Sequence, residues 1–270
     1  MTGTSPNKSR KPATSESATD ALRAATERGS GAKRAAALLA LAEQDRPSAI
    51  SIALAWLRDE ALEEESGKIV KGVMVAKNKQ RPAAVDVLAR ELDAVALDAL
   101  VHAIVLYPLG PTYWKARDAL VASTLPNTAE RIVAAIATTD SSRSISCLLT
   151  TLRRRREIAN EELLCRLAID PLGFPVRIEN SVEGFQTDVL EALVAGRSKR
   201  LVDVTCEVLR AEHSKARYFA LFGANIRDVI ELLPENERPA FARALEAHPR
   251  FPRETLAQDV LDTIQRAATS

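Results

Sequence analysis

The chain has 270 residues, 46% of them hydrophobic and 27% charged, with 37 Lys and Arg against 36 Asp and Glu. That apolar content can offset the entropy of ordering, which excludes a wholly disordered protein, and the length suits two globular domains or one elongated array. A formal charge of +1 excludes a surface devoted as a whole to nucleic acid or anionic lipid and leaves only local clusters for such work.

Residues 1–17 (MTGTSPNKSRKPATSES) hold almost nothing apolar and predict a disordered basic tail. Its Lys8, Arg10 and Lys11 could touch nucleic acid or only keep the tail soluble. No apolar h-region marks a signal peptide. Gly29-Ser30-Gly31-Ala32-Lys33 resembles a phosphate loop only superficially, because the GxxxxGK(S/T) spacing and a preceding strand are missing; it reads as a helix start. The carboxylates Asp59, Glu60, Glu63, Glu64 and Glu65 have no histidine near them and read as a solvated helix end. The stretch GKIVKGVMVAKNKQRP then carries Lys68, Lys71, Lys77, Lys79 and Arg81 with no acidic residue, the first basic cluster.

Amphipathic helices follow one another from there. Leu97, Leu100, Val101, Ile104 and Val105 keep the i, i+3, i+4, i+7, i+8 spacing of one helix face, and the same pattern recurs at Ile145, Leu148, Leu149 and Leu152, at Ile226, Val229, Ile230 and Leu233, and at Ala257, Val260, Leu261 and Ile264. The charge-free run from Ala99 to Trp114 contains Pro108 and Pro111 and is too short for a bilayer span of ~20 apolar residues. It ends in an aromatic patch, Tyr107, Tyr113 and Trp114, with Lys115 and Arg117 beside it. These rings could stack on a ligand or plug the turn between two helices.

Asn127 with Glu130 has capping-box spacing, and Asp140, Asn160 and Ser214 also stand where N-caps are expected. Pro47, Pro82 and Pro252 suit first helical turns. Arg153, Arg154, Arg155 and Arg156 close one helix, where cations favour the dipole, and Arg197, Lys199 and Arg200 form a third basic group. Residues 170–185 (DPLGFPVRIENSVEGF) are rich in Pro and Gly and predict an irregular loop, either a binding element or a linker. His213, Lys215, Arg217 and Tyr218 form a last mixed cluster. No run alternates with period two for long enough to demand a strand.

These elements predict an all-α protein of roughly twelve to fifteen helices, joined by short connections that make neighbours antiparallel. Its parts would be the tail at 1–17, a helical-repeat region at 18–169, the loop at 170–185 and a C-terminal helical region at 186–270 packing on the first. Hairpins pair as 93–124, 127–156, 198–233 and 235–267, starting about 30 to 40 residues apart. With stripes such as Ala129-x-x-Ile132-Val133-x-x-Ile136, the chain resembles the HEAT/armadillo-like α-solenoids over residues 30–267. Pro, Asp and Arg do not recur at fixed positions from unit to unit, so an irregular helical bundle is the alternative.

His102, His213 and His248 are scattered without a second ligand at i+3 or i+4, and HExxH and paired-Cys patterns are missing, so neither a metal nor a cofactor is expected. GxGxxG and GxSxG are missing as well, and no nucleophile has a nearby histidine, which gives no catalytic residue to nominate. Cys147, Cys165 and Cys206 fall in apolar helical patterns, predicting buried thiols and a reducing, cytoplasmic setting.

Serial helical hairpins without a catalytic signature predict a non-enzymatic scaffold or adaptor that holds a protein or peptide and no membrane. The alternative is a nucleic-acid binder using the basic clusters. A third reading, by similarity to helical-repeat DNA glycosylases, would use Trp56, Trp114 and a carboxylate. The candidate surface is Lys68, Lys71, Lys77, Lys79, Tyr113, Trp114, Arg153, Arg154, Arg155, Arg156, Arg197, Lys199 and Arg200.

Overall fold

Stripes of apolar residues at helical spacing become helices throughout the computed structural model, which describes residues 15–59, 62, 68–70, 73–75, 79–90, 92–179, 181–210, 219–256 and 258–269. Fourteen α-helices occur among them, so the chain is all-α as expected. They divide into two compact units, residues 1–91 and 92–270.

The first unit contains α1 (Ser15–Glu27), α2 (Gly31–Gln44), α3 (Arg46–Arg58) and α4 (Gln80–Ala89). Residues 15–17 of the expected tail thus belong to α1, and residues 1–14 lie outside the described residues. Ser30 caps α2, as the helix-start reading of Gly29–Lys33 requires, by accepting from the Lys33 amide at 3.5 Å. Asp45 ends α2 and opens α3 at once, accepting from the Ser48 amide at 3.3 Å and pairing with Arg23 of α1. Those hydrogen bonds, Ser48 foremost, hold its carboxyl below the usual carboxylate range. Leu38, Leu41, Ala49, Ala53 and Ala84 are fully buried and form the centre of this unit.

One departure from the all-helical reading lies between α3 and α4. Strands β1 (Lys68–Val70) and β2 (Val73–Val75) form an antiparallel hairpin in the register Lys68↔Val75, Ile69↔Met74, Val70↔Val73. Three residues per strand are too few to show alternation; the β-branched Ile69, Val70, Val73 and Val75 around Lys71-Gly72 were the signal.

The second unit runs α5 (Ala94–Leu106), α6 (Pro111–Ala122), α7 (Thr128–Thr138), α8 (Ser142–Arg155), α9 (Glu161–Ile169), α10 (Val182–Ala195), α11 (Leu201–Arg210), α12 (Phe219–Leu232), α13 (Arg238–Glu246) and α14 (Gln258–Thr269). Of the four expected hairpins, α5–α6, α7–α8 and α13–α14 pack as pairs, whereas α11 and α12 fall on the expected residues but pack mainly on other helices. From α8 on, each helix packs on the next but one: α8 on α10, α10 on α12 and α12 on α14 in one row, α9 on α11 and α11 on α13 in the other. Contacts between α9 and α10, α10 and α11, and α13 and α14 tie the rows together. Two rows of stacked helices are compatible with a helical-repeat architecture. Their common core includes Leu148, Leu149, Leu152, Leu164, Val189, Leu190 and Leu193, each at most 1% exposed.

Some end signals read differently in the structure. Asn127 opens α7 with φ 62° but its side chain makes no cap, so the capping box does not form. The role expected of Asp140 falls to Ser141, which accepts from the Ser144 amide at 3.3 Å. Asn160 does cap α9, accepting from Leu163 at 3.3 Å, and Ser214 lies outside the described residues. Pro47 and Pro82 sit in first turns, whereas Pro252 precedes α14 by several residues.

The irregular segment is shorter than 170–185. Ser181 caps α10 by accepting from Gly184 at 2.9 Å, and residues 182–185 are its first turn. Upstream of it, Pro171–Gly173 form a 3-10 turn. The stretch then docks on the start of α8, where the Arg177 amide donates to the Asp140 carbonyl at 2.6 Å and the Glu179 amide to Ser142 Oγ at 2.9 Å.

Candidate functional site

Four consecutive arginines at the end of α8 point in different directions and do different things. Arg153 pairs with Glu191 of α10. Arg154 is exposed, with no side-chain partner among the described residues. Arg155 turns inward with its side chain only 6% exposed, donates to the carbonyls of Leu120, Val121 and Ser123 at the end of α6, and pairs with Glu157 at 2.8 Å. Arg156 takes the left-handed conformation (φ 56°) that ends the helix and projects into solvent.

The end of α10 is built alike. Arg197 is left-handed at φ 58°, its amide donating to the Val194 carbonyl at 3.0 Å, and Lys199 follows it, both exposed. Arg200 instead pairs with Glu162 of α9. Gly196 ends α10 against Ile158, the residue two beyond Arg156, so the turns bearing Arg156 and Arg197 are packed on each other.

Between these turns and the ends of α11, α12 and α13 lies a groove of about 870 Å³. It gathers Arg153, Arg156, Arg197 and Lys199 from the second and third basic clusters and leaves out Arg154, Arg155 and Arg200. Two carboxylates, Glu191 and Glu237, share the walls, and Glu191 is already paired with Arg153. Val194, Leu201, Leu233 and Phe241 line its floor, each 7–8% exposed, while Leu232 is 43% exposed. Pro234, Ala240 and Ala244 of the walls face solvent, which makes this an open groove rather than a closed chamber.

A non-glycine residue in the left-handed region costs about 1–2 kcal/mol, and helix ends with this geometry favour glycine. Two arginines occupy such positions on the rim of one groove, and neither has a side-chain partner among the described residues.

Between α8 and α10 runs a polar seam. Ser146 of α8 donates to Asp188 of α10 at 2.5 Å, and Arg153 and Glu191 pair one turn further on. Burial raises the pKa of both Asp188 and Glu191, with Ser146 and Arg153 respectively pulling the other way. A carboxyl raised in the native state contributes stability that is complete below the unfolded value, about pH 4, and is lost as pH rises through the native value. Asp188→Asn, which cannot ionise, is therefore expected to lose less stability than the native chain between about pH 4 and neutrality. Urea unfolding across that range checks this, and equal losses in both chains would contradict it.

The remaining candidates lie elsewhere. Lys79 is exposed at the start of α4, Lys68 is in β1, and Lys71 and Lys77 lie outside the described residues. Arg81 is buried and donates to the carbonyls of Asp59 and Leu62 at 2.9 and 3.0 Å.

The aromatic patch divides. Tyr113 is 8% exposed under the Arg117 guanidinium, 5.4 Å from its ring, so it plugs the α5–α6 turn, whereas Trp114 is 39% exposed on α6. Beside Tyr113, burial pushes the half-buried Cys147 thiol up to about 11, which keeps it protonated and unreactive at neutral pH. Cys165 and Cys206 are buried, and desolvation raises both. Trp56 is 6% exposed beneath Arg34 and is a core residue, so the glycosylase reading loses one of its two tryptophans. The cluster at 213–218 lies outside the described residues.

Leu232, Glu237, Ala240 and Phe241 of the groove carried no sequence motif; the pair Leu232-Leu233 before Pro234 was the available signal, an apolar overhang at a helix end. Among the described residues no helix is long and apolar enough to cross a membrane. Comparison with protein-family models, with curated proteins and with solved structures finds no match.

Proposed function

We propose that this chain is a non-enzymatic interaction protein, its residues 92–270 an α-solenoid of the HEAT/armadillo kind whose groove receives a protein or peptide partner. The observation that carries this reading is convergence: two basic groups some forty residues apart in sequence line one open groove with an apolar floor. Apolar area surrounded by unpaired charge is the usual composition of a recognition surface, where burial supplies affinity and the charged rim supplies selectivity and encounter rate. The alternating rows of helices support the solenoid reading, because stacked helical pairs leave continuous concave edges of this sort.

The test is capture of the tagged full chain from its native cells, with and without nuclease treatment, in parallel with a chain carrying Arg156→Glu, Arg197→Glu and Lys199→Glu. A stoichiometric protein held by the native chain and lost by the reversed one supports the reading. Equal capture by both moves the binding face off the groove. Recovery of nucleic acid alone, with all proteins lost on nuclease treatment, replaces the reading with nucleic-acid binding.

A further inference from the structure

We infer that the occupant of the groove is an acidic amphipathic α-helix, a partner segment with one leucine-rich face flanked by carboxylates; this rests on the groove being the binding face. Charge complementarity is the first argument. With Arg153 neutralised by Glu191, the rim presents Arg156, Arg197 and Lys199 against the single carboxylate of Glu237, so a ligand that brings negative charge to the rim gains and a basic one is repelled.

The floor is the second argument. Leu232, 43% exposed at the end of α12, stands among apolar neighbours, and a ligand must bring apolar side chains to cover it. Ala240 and Ala244 lie one turn apart on α13 and leave its exposed flank low, which lets a helix backbone approach closely.

The third argument selects helix over extended chain. The groove is walled by helices and no sheet edge among the described residues borders it, so an extended peptide would find no ladder of backbone partners there, whereas a helix satisfies its own backbone before docking. Nucleic acid fits less well. Among the described residues no exposed aromatic face lines the walls for base stacking, since Phe241 is 7% exposed.

The two left-handed arginines make a test that does not depend on the variant's fold surviving. Glycine suits both backbones better than arginine, so Arg156→Gly with Arg197→Gly is expected to melt at the same temperature as the native chain or higher, yet to bind more weakly. The probe is a fluorescent synthetic peptide of four helical turns, with leucine at alternating third and fourth positions and glutamate beside them, titrated against the full chain by anisotropy. Its controls are a scrambled peptide of equal composition, the same peptide with lysine for glutamate, and a single-stranded oligonucleotide of equal charge.

The native chain is expected to bind the leucine–glutamate peptide at least tenfold more tightly than any control. The double glycine variant, and separately Ala244→Trp, which fills the floor from an exposed position, are each expected to lose tenfold or more. Arg156→Glu with Arg197→Glu is expected to prefer the lysine peptide. Equal binding of the scrambled peptide, or tighter binding of the oligonucleotide, overturns the proposal. So does an unchanged affinity in the double glycine variant. If the peptide fails to bind while the cellular partner is still lost on charge reversal, the occupant is wrong and the groove reading stands; if both fail, both fall.

Discussion

Replacing Arg155 with alanine is expected to destabilise the second unit by about 2–4 kcal/mol, whereas replacing its neighbour Arg154 changes stability by less than about 0.5 kcal/mol. The two residues share composition, helix and position in a run of four, and differ only in direction. Arg155 sends a 6%-exposed guanidinium across to the end of α6, where it bonds the carbonyls of Leu120, Val121 and Ser123 and pairs with Glu157. The last carbonyls of a helix have no partner within it, and here a cation from α8 supplies one. Hydrogen bonds to a charged group contribute about 1.5–3 kcal/mol each but do not add fully, and Glu157, 46% exposed, can return to water when its partner is lost. Lysine should restore only part of the loss, since one ammonium cannot span the carbonyls and Glu157 together. Each unit holds one tryptophan, so urea unfolding of a Trp56→Phe chain follows the second unit through Trp114. Equal midpoints for Arg154→Ala and Arg155→Ala would refute the assignment.

A second large effect is expected at Gly196. A Cβ built there would stand 2.8 Å from Cγ1 of Ile158 and 3.0 Å from its Cβ and Cδ1. Two of those atoms are close to the Ile158 backbone and cannot swing away, so Gly196→Ala must push the turn after α8 from the turn after α10. Overpacking of this kind costs about 1–3 kcal/mol. Ile158→Ala removes two of the three opposing atoms, and in that background Gly196→Ala is expected to cost no more than about 0.5 kcal/mol, a coupling that a double-mutant cycle measures directly. Additive losses would mean that the glycine is needed for something other than this contact. Because the same two turns carry Arg156 and Arg197, Gly196→Ala should also weaken whatever the groove holds, and the Ile158→Ala background should recover it.

The helices were legible because their signal is local. Ile145, Leu148, Leu149 and Leu152 specify a buried face by spacing alone, and all four are at most 1% exposed. The hairpin at residues 68–75 escaped notice because three-residue strands have no period to detect. The α9–α10 pair was half hidden by Pro171, Gly173 and Pro175, which do bend the chain, although Ser181 starts a helix before the glycine at 184 can stop it.

The groove is a different matter. Basic clusters were visible, but whether an arginine points at a ligand, a carboxylate or a helix end depends on its angle around α8 and on what α6 and α10 bring to it. Arg153, Arg155 and Arg200 were spent on such structural pairs, and Arg156, Arg197 and Lys199 were left over. No property of these residues taken singly separates the two sets. The apolar floor was hidden for the same reason, since Leu232 and Phe241 meet only when α12 and α13 are placed.

The two-row order of α8 to α14 also governs how the unit comes apart. Each helix there is held by its near neighbours and by little else, so opening can travel along the rows one element at a time without a single all-or-none event. The groove draws its walls from α8, α10, α11, α12 and α13, and a ligand seated in it fastens five helices at one stroke. Occupancy would then act as a clasp on the rows: amide exchange in α13 and α14 should slow on binding although α14 lines no part of the groove. Recognition and the length of chain that stays folded become one equilibrium.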